Sequence, residues 1–407
     1  MPWAGPLRLP YASLLTSFLS LVSLVVSKPA DVGKLETWVR GWGYPFEAHS
    51  AITDDDRLLA LFRLPRLGAP PVLLQHGILD SAWCWVFNRE FRALGFQLFD
   101  AGYDVWLGNN RGNGFSERWA DGSDASSSLA FWNFTFDEMA RYDIPAMIGT
   151  VIKATGAEKL AYVGHSQGTM QFLIAASMSE LKSLVADRTS VFVALSPVAW
   201  LGHLQLPPLF KALSNYRVVK HLWLLFPYGF LQRSGWRKIS RTLCVVTLGK
   251  VCKISIDEVC GAGYLDHATN IALYAKHFPF GTSFKNMLHF AQGFTEGSFR
   301  RFDYGPRGNL AVYGLASPTD YNLSGLAVPT ALLLAAKDRL ADGQDEAHLA
   351  QVLKITQQVF SVRSYPGFSH ATWLLGEAEA GYYVADVFAI LRDFHSAAIS
   401  AVAARTP

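Results

Sequence analysis

Gly164-His165-Ser166-Gln167-Gly168 joins an apolar run, Leu160 to Val163, to a stretch with helical spacing, Gln167 to Met178. A serine at such a junction is held on a sharp strand-to-helix turn. The backbone there is strained, and the flanking glycines are required because side chains would strike neighbouring backbone. The turn lifts the hydroxyl clear of a sheet and sets it at a helix N-terminus. This demand fixes much of the surrounding architecture: a buried strand before the turn, a helix after it, and a sheet edge where the hydroxyl emerges.

The rest of the chain agrees with that demand in two blocks. In the first, Leu58–Leu64, Val72–Gln75, Asp104–Leu107, Leu160–Val163 and Val191–Leu195 read as strands, and Phe136 to Lys153 has helical spacing. In the second, Thr330–Ala335 and Gln358–Val362 read as strands, and Asp345–Leu353 and Ala380–Ile399 as helices. Strand–helix alternation predicts a parallel sheet covered on both faces. Between the blocks, Pro197 to Ala327 is rich in Leu, Phe, Trp, Tyr and His and lacks the strand rhythm. This predicts a mainly helical insertion over the sheet. The expected division is a leader at 1–27, an α/β core at 28–196, a cap at 197–327 and the remainder of the core at 328–407.

A serine hydroxyl is a poor nucleophile at neutral pH and needs a base, which in turn needs an orienting acid. In chains with this turn, acid and then histidine follow the serine. His370 follows the strand Gln358–Val362 and the Pro366-Gly367 turn. His348 and His395 lie in helical patterns and read as surface residues. For the acid, Asp338, Asp342 and Asp345 are all near. Asp338 is preferred because it stands closest to a strand end, where functional residues of open parallel sheets collect; Asp342 suits a helix cap. Backbone donors for an oxyanion are expected from Gln167 and from the loop His76-Gly77-Ile78-Leu79, through the Ile78 N–H or alternatively that of Gly77. His76 reads as a brace for this loop. Chemistry of this kind needs no metal and no cofactor.

The charge balance, 36 Lys and Arg against 33 Asp and Glu, is bland and forms no basic run, which speaks against a nucleic-acid partner. Tyr11 to Val26 carries no charge and is shorter than the ~20 residues that cross a bilayer core. With Val25 and Ser27 before Lys28 it reads as a cleaved secretory signal rather than a retained anchor. No later stretch suits a transmembrane helix, so a soluble mature chain in the secretory pathway is expected. Cys84, Cys244, Cys252 and Cys260 lack zinc-site spacing. One local disulfide among the last three is plausible, and a second only if Cys84 takes part. Asn133-Phe134-Thr135 and Asn322-Leu323-Ser324 are glycosylation sequons. Asn133, in an aromatic stretch, is expected to be the less accessible.

With these residues placed, the chain resembles the acid lipase family, which includes gastric and lysosomal acid lipases, over nearly its whole mature length. Trp42-Gly43-Tyr44-Pro45, Gln75 to Ser81, Asn110-Arg111-Gly112-Asn113, Phe131-Trp132 with Asp137-Glu138-Met139, and Tyr142 to Ala146 are similar to the family's segments. So are Gly164 to Thr169, Gly281-Thr282-Ser283 and Asn286-Met287-Leu288-His289. The resemblance implies an α/β-hydrolase fold with Ser166, Asp338 and His370 as the triad. It also implies a cap disulfide between Cys244 and Cys252, leaving Cys260 outside it. The implied activity is hydrolysis of carboxylic esters of neutral lipids, acylglycerols foremost and steryl esters as a further class, at a lipid–water interface, in a secreted or lysosomal protein. The sequence departs from the family pattern at Ala335-Ala336 and at Ala371-Thr372-Trp373. A small-ester esterase or acyltransferase of the same fold, or a secreted lipid carrier without catalysis, are the alternatives.

Overall fold

The computed structural model describes residues 30–88, 92–231, 242, 244, 246, 247, 249–263, 268–376 and 380–403. The expected leader at 1–27 lies outside the described residues. Helix α1 (Ala30–Gly41) leads into strands β1 (Glu47–Ile52), β2 (Arg57–Leu64) and β3 (Pro71–Gln75). Then come α2 (Leu94–Asp100), β4 (Asp104–Leu107), α3 (Ile144–Thr155), β5 (Leu160–His165), α4 (Gln167–Ser177) and β6 (Thr189–Leu195). After the insertion the chain returns through β7 (Thr330–Ala335) and β8 (Val359–Tyr365).

These eight strands lie in the order β1-β2-β4-β3-β5-β6-β7-β8, with the short strand Arg118–Trp119 paired to β2. The β1/β2 and β2/β4 pairs and the pairing of Arg118–Trp119 with β2 are antiparallel and the rest parallel. The sheet is therefore mixed but mostly parallel, flanked by helices and interrupted by a helical region. Its period-two pattern sends alternate residues to opposite faces. Val72, Leu74, Val163, Val191 and Val193 enter one core, under α1 and α2, while Leu73, Tyr162, Phe192 and Ala194 enter the other, under α3 and α4. The chain leaves β3 toward β4 on one side and later adds β5 on the other. Strand order thus reverses between β3 and β5, and a crevice opens beyond their carboxyl ends.

Three local expectations change. The helix expected over Phe136 to Lys153 is broken by a π turn at Met139–Asp143, where the Ile144 N–H bonds to the Met139 carbonyl. Pro145 has no amide to continue the ladder, and the buried Asp143 carboxylate takes the Arg111 N–H and Nε instead. His395 is not a surface residue: it is buried, with Nε2 2.8 Å from the Ser190 Oγ. The long helix Ala380–Ala403 that carries it lies across the sheet, and helical periodicity alone does not say which face is covered. Asn133 is exposed, its Oδ1 accepting from Lys285 Nζ, whereas Thr135 of the same sequon is buried as a helix cap. Asn322 is exposed in a turn, and His348 is exposed against Trp200.

Between β6 and β7 the described residues include α5 (Pro208–Leu213), α6 (Tyr216–Leu225), α7 (Lys250–Cys260) and α8 (Phe284–Glu296), with shorter helices at Ala268–Tyr274 and Pro306–Tyr313 and a two-stranded pair of Gly229–Phe230 and Thr282–Ser283. Val219 of α6 packs on Leu288 and Ala291 of α8 to form a small core of its own. Cys244 and Cys252 are disulfide-bonded, their Cα atoms 5.5 Å apart. The returning segment adds α9 (Gly343–Lys354) and α10 (Ala380–Ala403). Among the described residues no helix is long and apolar enough to cross a membrane.

Candidate active site

Ser166 stands at the β5–α4 junction with φ +53° and ψ −122°, a conformation that non-glycine residues rarely adopt. Strand β5 directs it into the crevice, and α4 begins at once behind it. The two glycines of the turn are sterically obligatory. A Cβ on Gly164 would stand 2.9 Å from the Gly168 carbonyl, and one on Gly168 would collide with the Gln75 carbonyl oxygen. The turn is thereby pressed against the end of β3, which carries the His76–Leu79 loop.

His370 follows β8 and its imidazole returns over the crevice. Its Nε2 lies 2.8 Å from Ser166 Oγ, and its Nδ1 lies 2.8 Å from Asp338 Oδ2. With an acceptor-only carboxylate at Nδ1, that nitrogen carries the proton and Nε2 accepts from the hydroxyl. Asp338 follows β7, so the three side chains converge from the carboxyl ends of three parallel strands. Ser166, Asp338 and His370 are all buried.

The other carboxylates are occupied elsewhere. Asp342 caps α9 through the Gln344 N–H and accepts from Gln205 Nε2. Asp345 holds His203. Glu346, on the inner side of α9, is pushed up to about 10 by burial and by the nearby Asp338 and Asp342 charges, and so is a neutral acid at ordinary pH.

Gln167 opens α4, where a first-turn amide has no partner within the helix. Its side chain accepts from Asn286 Nδ2 of α8 at 2.8 Å, which ties the turn to the insertion. Ile78 and Leu79 line the crevice beside Ser166, and Leu79 holds a φ of +61°. His76 braces this loop as a neutral ring. Nδ1 donates to the Gly77 carbonyl, and Nε2 accepts from the Asn110 N–H and Asn113 Nδ2. Burial pushes it down to about 4.

Three contacts have no counterpart in the sequence reading. The His165 Nε2 donates to the His370 carbonyl at 2.8 Å, and burial, with the His370 charge adding, pushes this ring down to about 3. The Ser196 hydroxyl donates to Asp338 Oδ2 at 2.7 Å. The Trp373 indole N–H donates to Ser196 Oγ at 2.7 Å. The one available signal for Ser196 is its place, a polar residue closing the apolar strand β6 at the end where site residues collect. Trp373 could be seen only as a departure from the family pattern.

A cavity of about 510 Å³ opens on Ser166. Its walls include Leu206, Phe210 and Leu213 from α5 and its approach, Leu222 from α6, and Phe284 and Met287 from α8. The volume is in the range that holds small-molecule ligands, roughly 300–1,000 Å³. A hydroxyl within hydrogen-bond reach of an imidazole that a carboxylate holds, a helix N-terminus behind it and an apolar chamber above it together suit attack on an acyl carbon.

Sheet order, strained serine turn and site at the strand ends define the class of α/β-fold hydrolases. The comparisons agree. Residues 70–217 match the family described as alpha/beta hydrolase fold, and residues 35–89 match a partial alpha/beta-hydrolase lipase region. The chain is 38% identical to the gastric triacylglycerol lipase of Bos taurus over 366 residues, covering 86% of this chain and 89% of that protein. It is 32% identical to human lipase member K over 370 residues, covering 87% and 89%. The epoxide hydrolase VrEH1 from Vigna radiata shares the fold, with a TM-score of 0.50 and 13% identity, over 86% of this chain and 98% of that one. The chain belongs to the α/β-hydrolase superfamily, within the group of gastric and lysosomal acid lipase-like proteins. It is a hydrolytic enzyme of the ester-cleaving type.

Proposed function

We propose that the protein is a lipase that hydrolyses carboxylic esters of neutral lipids, triacylglycerols first and steryl esters as a second class. Ser166 Oγ attacks the ester carbonyl as His370 Nε2 takes its proton. Asp338 holds the imidazole in the needed tautomer and offsets the imidazolium charge. The N–H groups of Ile78 and Gln167 receive the developing oxyanion. His370 returns the proton to the departing alcohol, leaving the acyl group on Ser166. Water, deprotonated by the same ring, then releases the fatty acid. No step calls for a metal or a cofactor.

The observation that carries the neutral-lipid reading is the chamber above Ser166, whose walls offer an acyl chain almost nothing but aliphatic and aromatic carbon. The outer side of the insertion supports an interface as partner: Leu224, Leu225 and Phe226 are exposed one after another at the end of α6. In this reading residues 197–327 are the cap over a core of 28–196 and 328–407. The Cys244–Cys252 disulfide, the sequons at Asn322 and Asn133 and the apolar leader fit a secreted or lysosomal protein.

Wild type and Ser166→Ala should be compared on a long-chain triacylglycerol emulsion, a cholesteryl ester dispersion and a soluble short-chain ester. The reading expects cleavage of the emulsion and its loss in the variant. Cleavage of the short-chain ester alone would make the protein a small-ester esterase. Failure of a fluorophosphonate to label Ser166 in folded protein would make it a carrier.

A further inference from the structure

The Asp338 carboxylate has about four lone-pair positions to fill, and the described residues fill all four. Oδ1 accepts the Leu340 and Ala341 N–H groups, each at 2.8 Å. Oδ2 accepts His370 Nδ1 and, as the fourth donor, the Ser196 hydroxyl. An indole only donates, so the direction of the outer link is fixed: Trp373 donates to Ser196 Oγ, which spends its single proton on Asp338.

The construction is deliberate in two ways. Ser196 is fully buried and holds a φ of +45°, a conformation costly for a residue with a Cβ. The turn aims the hydroxyl at the carboxylate. Trp373 is locked at the other end among Tyr365, Phe368 and Tyr383, whose hydroxyl donates to the Trp373 carbonyl.

We propose that Ser196 and Trp373 are positioning residues, an outer hydrogen-bonded relay behind Asp338 that extends the working range of His370 toward acid pH. The proposal rests on the roles given above to Ser166, Asp338 and His370. The physical reason is charge distribution. A donor on Oδ2 draws negative charge away from the oxygen that faces His370, so the imidazolium is held less strongly and the ring stays a proton acceptor at lower pH. Trp373, by donating to Ser196 Oγ, makes that hydroxyl a better donor.

The other titratable groups around the pair leave this effect visible. His165 on β5 and Glu346 on α9 are neutral through the acid range. Asp342 is held by α9 and Gln205. Cys260, at the end of α7, offers its carbonyl to the His370 N–H. Arg339 is paired with Glu258, and Lys337 is exposed next to Asp338.

The test is the pH dependence of kcat/KM on a soluble short-chain ester for wild type, Ser196→Ala, Ser196→Gly, Trp373→Phe and the Ser196→Gly/Trp373→Phe double variant. Glycine takes a φ of +45° readily, so Ser196→Gly removes the hydroxyl without the strain. The acid limb should move to higher pH in every Ser196 variant, so that at a fixed pH on that limb kcat/KM, each taken relative to its own plateau, falls about threefold or more below wild type. Trp373→Phe should move it least. The double variant should match Ser196→Gly, because Trp373 acts only through Ser196. Folded variants whose acid limbs superimpose on wild type, or move to lower pH, overturn the proposal. Trp373→Phe carries the test if the Ser196 variants do not fold. Ser166→Ala and Asp338→Asn run alongside. If either keeps wild-type activity, the reading of the site fails. If both are dead and the limbs superimpose, only the relay fails.

Discussion

At the scale of single residues, the site is a set of side chains whose alternatives are already engaged. Asp338 is free of helix-capping duty because Asp342 performs it. Asp338→Asn should therefore lower kcat by about 10⁴, since an amide no longer selects the His370 tautomer. Asp342→Asn should cost under ~1 kcal/mol in urea unfolding, because asparagine caps nearly as well, and should leave turnover close to wild type. The reverse pattern would move the acid to Asp342. Gly168 admits no side chain at all: Gly168→Ala should destabilise by about 1–3 kcal/mol. It should also abolish fluorophosphonate labelling of whatever folds, because the added carbon drives β3 and its loop away from Ser166.

At the scale of elements, α6 divides its two apolar sides between different tasks. Val219 faces α8, Leu222 looks into the chamber, and Leu224 and Leu225 face outward. Outward leucines contribute nothing to the small core beneath them, so Leu224→Asp and Leu225→Asp should fold normally. On the proposed role they weaken adsorption to lipid: activity on a long-chain emulsion should drop about tenfold in the double variant, and activity on a soluble ester should not change. Equal losses on both substrates would assign α6 to the chemistry rather than to the surface.

At the scale of the whole molecule, buried titratable groups pull stability in opposite directions with pH. His76, His165 and His289 are pushed down by burial to about 4, 3 and 3. The unfolded chain binds their protons first, so their share of stability is present above about pH 6.5 and is lost as pH falls toward 4. Asp80, Asp137 and Glu346 are pushed up, chiefly by burial, to about 7, 7 and 10. Here the folded chain holds the protons, so their share is present below about pH 4 and is lost as pH rises. The shares of the two sets run in opposite directions between pH 4 and 7. Glu346→Gln keeps a neutral side chain of the same shape in both states. It should raise the melting temperature at pH 8 by about 3 °C or more and leave it unchanged at pH 4. A shift at both would point to packing instead of ionisation.

What could be read along the chain was whatever depends on neighbours in sequence. The strained turn at Ser166, the short apolar runs of β3 and β5 to β7, and the helices that follow them are dictated by local sterics and by which residues must leave water. Chain order and strand ends sufficed to nominate His370 and to prefer Asp338. What depends on distant partners could not be read. The Ser196 hydroxyl meets Asp338 across 142 positions and Trp373 across 177, and His395 reaches Ser190 across 205. At the π turn before α3, Pro145 is a local mark, but the buried Arg111–Asp143 pair that holds the turn is announced by no local pattern. Periodicity tells a residue which side it faces, and only packing tells it what is on that side. The bonds behind Asp338 were therefore decided by how the sheet, α9 and the His370 loop close on one another.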